Sequence, residues 1–217
     1  MINFAESKWY NIATVVWDVI AMGFLWTIFS LLGLGITIGA STTALYYIAT
    51  KKASGKDDEY IFSAFWKSFK ENLIKSTIAF LTLILIGIVI WFNLNLLSYI
   101  DMGWLNLPIR VALYFMLIQL IFVTLYIFAV IARFEMSILD ALKAAGFMAN
   151  RHVMMTLSNF ILLFVIVYIS FFAPIVLLFM MGIYGYFSSF LIVRIFRKHR
   201  PDFDMPNSSE NSNLIDE

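Results

Sequence analysis

Few side chains in this 217-residue sequence stand where they could do chemistry, and the first of them is Asp18. It lies in an apolar run that begins near Ile12, about two turns inside the outer boundary of the span that this run implies. An ionisable side chain at such depth is costly and usually marks a pathway for an ion or solute. The competing reading is a carboxylate that simply reaches back to the interface. Further along, Gln119 and Thr124, then Asn159 and Ser170, sit inside other apolar stretches. Their types suit hydrogen bonds between helices better than contact with a substrate. No succession of Asp, Glu or His crosses any apolar run, which disfavours a proton-driven pump.

Catalytic patterns are missing. The sequence has no GxxxxGK loop for nucleotide phosphates, no HExxH pair for zinc and no GxSxG nucleophile elbow. Its two histidines, His152 and His199, fall in basic segments far apart, where contact with solvent or lipid headgroups is the plainer reading. Cysteine is absent, so disulfides, thiolate metal sites and cysteine nucleophiles are excluded. The expectation is a protein that is not an enzyme and needs no cofactor or metal.

The elements that carry these residues follow from composition. Hydrophobic residues make up 62% of the chain and charged residues 13%, against about 25% charged in soluble domains. Runs of about 20 apolar residues match a hydrocarbon core of about 30 Å. The sequence therefore predicts an all-α integral membrane protein with about five transmembrane helices, at about 12–34, 76–97, 109–132, 157–172 and 175–193. Pro174 divides the last two, because proline interrupts a helix interior. Trp9, Tyr10 and Trp17 suit a membrane boundary at the start of the first span. The first apolar run is too long for a signal peptide and is expected to be retained. Residues 1–200 form one polytopic membrane domain, and 201–217 a disordered cytoplasmic tail.

Beyond the first span come Gly35, Gly39 and Ser41, small residues with a GxxxG spacing that allows close helix packing. The piece 36–50 is then either an extension of the span, a re-entrant turn or a sixth crossing. With five spans, thirteen Lys and Arg residues between Lys51 and Arg200 fall on one side, and only Lys8 and Arg110 on the other. Positive residues favour the cytoplasm. The long loops and carboxy terminus are therefore expected on the cytoplasmic side of the membrane and the amino terminus outside; a sixth crossing would bring the amino terminus inside.

Two polar segments predict cytoplasmic amphipathic helices. In the first, Phe62, Phe65, Trp66 and Phe69 recur at helical spacing, which fits a helix lying in the membrane interface or a dock for a partner. In the second, Ser137-x-x-Asp140 is a partial capping box, and a short helix over 138–145 is expected to end near Gly146. Both segments contain Phe-x-x-Asn (Phe69 to Asn72, Phe147 to Asn150) before a basic residue and a span, as a parallel duplication would leave them. The string from Asp140 to Gly146 is similar to the coupling loop through which permeases of the ATP-binding-cassette type touch their ATPase.

The run Phe24-Leu25-Trp26 through Gly39-Ala40-Ser41-Thr42-Thr43-Ala44-Leu45-Tyr46-Tyr47, followed by Phe65-Trp66-Lys67-Ser68-Phe69-Lys70-Glu71-Asn72, resembles the YesL family of bacterial integral membrane proteins, whose function is unknown. The order of spans extends the resemblance over about Trp17 to Arg200. Many members carry a proline near the Gly-Ala-Ser element, and this chain has none there. Genes of that family often lie beside carbohydrate uptake transporters of the ATP-binding-cassette type. The resemblance thus implies a non-enzymatic accessory component of carbohydrate uptake, with a permease or ATPase as partner and the lipid bilayer as surroundings. Net charge of +1 gives no pull toward nucleic acid. The alternative is a small transporter or channel built on the glycine-rich first span and Asp18.

Overall fold

A computed structural model describes residues 8–55, 60–100, 103–173 and 177–199. Seven α-helices follow in order: α1 (Lys8–Leu32), α2 (Ile38–Ala53), α3 (Ile61–Leu96), α4 (Asn106–Arg133), α5 (Ile138–Arg151), α6 (Val153–Phe172) and α7 (Leu177–His199). A 3₁₀ turn, Gly103–Leu105, leads into α4. Five helical stretches among the described residues are long and apolar enough to cross a membrane: Ile12–Leu32, Ile61–Leu96, Gly103–Arg133, Val153–Phe172 and Phe179–Lys198. The all-α, five-span class expected from composition is borne out. Pro174, Asp101 and the expected tail 201–217 lie outside the described residues.

The piece 36–50 becomes a helix of its own rather than an extension of α1. At its end α1 closes with two hydrogen bonds, Leu34 N–H to Leu31 C=O at 2.9 Å and Gly35 N–H to Ser30 C=O at 3.0 Å. This cap needs a left-handed residue just past the helix. Leu34 supplies it at φ +50°, and Gly35 follows at +82°. The chain then folds back: Thr37 Oγ1 donates to the Phe29 carbonyl at 2.6 Å, and Trp26 Nε1 donates to Thr42 Oγ1 at 3.0 Å. Helices α1 and α2 are therefore an antiparallel pair.

Helix α2 is the centre of the bundle, with ten of its sixteen residues buried and α1, α3, α4 and α7 packed around it. Small side chains make this possible. A Cβ on Gly39 would meet the Ser76 carbonyl at 2.5 Å and Phe80 Cβ at 2.8 Å, so only glycine lets α2 and α3 approach so closely. Gly182 does the same for α7 against the backbone of Val19 and Gly23 in α1. Neither the Gly182 contact nor the central place of α2 follows from a span count. At about 1.5 Å per residue, α2 extends about 24 Å, short of a full hydrocarbon core.

The amphipathic stretch at Tyr60–Leu73 differs from the separate helix expected of it. It forms the opening turns of α3, which continues without a break for 36 residues, about 54 Å. No glycine or proline stands between Ile61 and Ile86 to interrupt it. The second polar segment does form its own helix, α5. Ser137 caps it, accepting from the Asp140 backbone N–H at 3.2 Å while its hydroxyl donates to the Asp140 carboxylate at 2.6 Å. Helix α5 runs through Gly146 to Arg151 rather than ending at 145. Gly146 faces Val123 of α4, where a Cβ would make an ordinary contact at 3.7 Å, so the glycine neither ends the helix nor is required by the packing. Only His152 separates α5 from α6.

Candidate functional site

Asp18 is not a lone carboxylate. Lys52, near the end of α2, donates to its Oδ2 at 2.6 Å, and both side chains are about nine-tenths buried. The antiparallel hairpin brings them together: with Trp26 beside Thr42, eight residues back along α1 lies level with ten residues forward along α2. Sequence reasoning set Asp18 near the outer boundary and Lys52 in the cytoplasm. Two side chains in contact occupy one depth, so that separation does not hold. The signal for the partner was present in the basic pair Lys51-Lys52, but it became readable only with α2 known to turn back.

This ion pair forms part of the wall of a cleft of about 740 Å³ between the first half of α1 and the start of α3. Thr14, Asp18, Lys52 and Tyr60 supply its polar groups. Trp17, Ile20, Ala21, Phe24, Leu25, Ile61 and Phe62 supply the apolar remainder. Such an arrangement can hold a molecule with a polar end and an apolar body.

A second polar locus lies inside the bundle. The Tyr46 hydroxyl of α2 is 3.1 Å from both the Tyr184 hydroxyl and Ser188 Oγ of α7. Tyr126 of α4 and Thr156 of α6 meet at 3.0 Å, and Thr43 of α2 meets Ser76 of α3 at 2.7 Å. Asn159 is fully buried near Tyr46, yet neither of its amide atoms is in hydrogen-bond geometry. These groups are uncharged and hold helices together through hydroxyl pairs. The tyrosines escaped sequence reasoning because, in isolation, a tyrosine in an apolar run reads as hydrophobic.

Other polar residues divide. Gln119 exchanges two hydrogen bonds with Asn150 of α5, at 2.8 and 3.2 Å, and so does join helices. Thr124 and Ser170 instead donate to carbonyls four residues back in their own helices. Gly35 belongs to the turn after α1, Gly39 to the α2–α3 contact, and Ser41 is buried without a partner for its hydroxyl. The three therefore do not form one packing face.

The aromatic stripe on α3 is also split. Phe65 and Phe69 are core residues, their rings 5.3 and 5.0 Å from that of Phe29 in α1, while Phe62 and Trp66 point outward. A partner could reach only the latter two. The Phe-x-x-Asn elements share one local bond and little else: Asn72 and Asn150 each donate to the carbonyl four residues back, but only Asn150 also bridges to α4, and Phe69 is buried while Phe147 is exposed. On α5, Ala141, Ala145, Met148 and Ala149 face the bundle. Asp140, Lys143, Leu139 and Phe147 face outward, with Leu139 69% and Phe147 54% exposed.

Long apolar helices, a hydroxyl-bonded interior and large outward apolar side chains define a multi-pass α-helical membrane protein. Residues 19–94 match the family described as "Protein of unknown function, DUF624". The chain is 27% identical to the uncharacterized protein YesL of Bacillus subtilis (strain 168) over 151 residues, covering 69% of this chain and 70% of that one. It is 30% identical to the uncharacterized protein YteU of the same organism over 114 residues, about half of each chain. No solved structure matches it. The resemblance to the YesL family is borne out.

Proposed function

We propose that the protein is a non-enzymatic accessory component of the bacterial plasma membrane that works by docking a partner on the outward face of α5. The observation that carries this reading is the amphipathic build of α5. Its alanine face lies on α4, and a mixed face of Leu139, Asp140, Lys143 and Phe147 stays uncovered. A helix bearing Asp140, Lys143 and Arg151 is too charged for the hydrocarbon layer, so its exposed apolar groups are open to a protein neighbour. The basic segments favour a cytoplasmic side for α5 and the carboxy terminus, which supports this reading. The carbohydrate transporter as partner rests on what the YesL resemblance implies, together with the likeness of Asp140 to Gly146 to a permease coupling loop.

The transporter alternative would use Asp18 as a pathway group. Its buried pairing with Lys52 argues against this, because a lone cation at Asp18 would face the Lys52 ammonium 2.6 Å away and bring no anion to answer it. The test is photocrosslinking in native membranes from Leu139 and Phe147. Recovery of a permease or ATPase subunit, with impaired sugar uptake in a deletion strain, is the expected result. Crosslinks to lipid alone together with normal uptake would overturn the proposal.

A further inference from the structure

We propose that the cleft between α1 and α3 binds one aminophospholipid of the surrounding membrane, its headgroup at Asp18 and Lys52 and an acyl chain along Ile20, Ala21 and Phe24. This goes beyond the docking role of α5 and does not depend on it.

Three observations carry the assignment. The cleft, about 740 Å³, falls in the size range of small-molecule sites. Along α1 its polar groups, Thr14 and Asp18, come first, with Trp17 between them, and the lining after Asp18 is wholly apolar: Ile20, Ala21, Phe24 and Leu25. At about 1.5 Å per residue the polar and apolar ends are separated by about 10 Å, as the parts of an amphiphile are. The cleft also belongs to a helix apolar enough to cross a membrane, and Trp17 and Phe24 on its rim are exposed. What such a rim meets is acyl chain. Water in the apolar half would forgo hydrogen bonds, and an unfilled space would forgo dispersion contacts, so a lipid tail is the occupant that satisfies the wall.

The polar end selects the headgroup. Asp18 and Lys52 present a carboxylate and an ammonium side by side. A headgroup carrying both a primary ammonium and a phosphate can complement the two at once, the ammonium donating to Asp18 and the phosphate accepting from Lys52. A fatty acid could answer only Lys52. A choline headgroup has no N–H to donate.

The test uses the full chain in vesicles containing equal amounts of phosphatidylethanolamine, phosphatidylcholine and phosphatidylglycerol. A photoreactive residue at position 24 is compared with one at position 164 on the outward face of α6. Crosslinks to phosphatidylethanolamine should exceed those to each other lipid at least fivefold from position 24, and all three should be equal from position 164. Equal labelling at both positions, or crosslinks from position 24 to the protein itself, would overturn the proposal. Native mass spectrometry supplies the second readout: Ala21→Trp, which fills the apolar half, should cut the retained lipid at least tenfold. The double variant Asp18→Asn with Lys52→Gln should keep a lipid but lose the headgroup preference. Persistence of the preference in that double variant would also overturn the assignment.

Discussion

Removing one member of the Asp18–Lys52 pair should destabilise the protein more than removing both. In Lys52→Gln the Asp18 carboxylate, about nine-tenths buried, loses the ammonium that touches it at 2.6 Å. Breaking a buried pair from one side costs about 3–5 kcal/mol, because the remaining charge keeps its desolvation penalty without its attraction. For a domain of this size 1 kcal/mol moves Tm by about 2–4 °C, so a fall of about 10 °C is expected. Asp18→Asn, which removes the same contact from the other side, should also lower Tm. In Asp18→Leu with Lys52→Met both charges are gone, apolar groups of similar size remain, and Tm should return to within a few degrees of the parent. The measurement is thermal unfolding in detergent micelles followed by tryptophan fluorescence, with Trp26 at the α1–α2 contact as one of the reporters. Single variants that unfold at the parent temperature, or a double variant as unstable as the singles, would refute the claim that the pair is buried and coupled.

Leu34→Gly should raise Tm by about 2–4 °C in the same assay: Leu34 stands at φ +50° with 90% of its surface exposed, so glycine removes about 1 kcal/mol of backbone strain and almost no packing. Asn159→Leu should also stabilise, since a fully buried amide without direct partners costs about 1–3 kcal/mol that an apolar side chain of similar size does not; a lower Tm would show that the amide is satisfied. A reporter fused ahead of α1 should give the same sidedness as one placed in the loop after α2, because Asp18 and Lys52 share an end; opposite signals would mean that the α1–α2 hairpin does not exist in the membrane.

Much of the architecture was legible because the bilayer imposes its length on sequence. Apolar runs set α1, α4, α6 and α7 within a few residues, and Pro108, only two residues into α4, sits where a missing N–H costs nothing. What composition could not convey was continuity and pairing. Charges at Lys67, Lys70, Glu71 and Lys75 suggested a break before the second span, yet a helix tolerates charge on one face and carries on. Gly146 suggested a stop, yet α5 runs through it to Arg151, because a single glycine weakens a helix without ending it. Asp18 was legible as unusual, while its partner lay 34 residues away on a helix whose direction no local pattern fixes. The aromatic stripe on α3 misled for a related reason: periodicity identifies one face of a helix but does not say whether protein or lipid covers it, and Phe29 covers Phe65 and Phe69.

The hairpin also alters how the charge count bears on the amino terminus. Counting five spans sends α1 from outside to inside and leaves 36–50 as a piece that does not cross. The geometry couples them differently: α1 and α2 run antiparallel, and Thr43 bonded to Ser76 sets α2 beside α3. The start of α1 then shares an end with Lys51 and Lys52. If those lysines obey the preference of positive residues for the cytoplasm, α1 starts on that side too. Helix α2, about 24 Å long, keeps its place because it is wrapped by four neighbours and meets protein rather than lipid over most of its surface. Its threonines and serine are tolerated for the same reason: Thr43, Thr42 and Thr50 donate to carbonyls of their own helix, and Thr43 also reaches across to α3. A lipid-facing helix of that length and polarity would not hold its place.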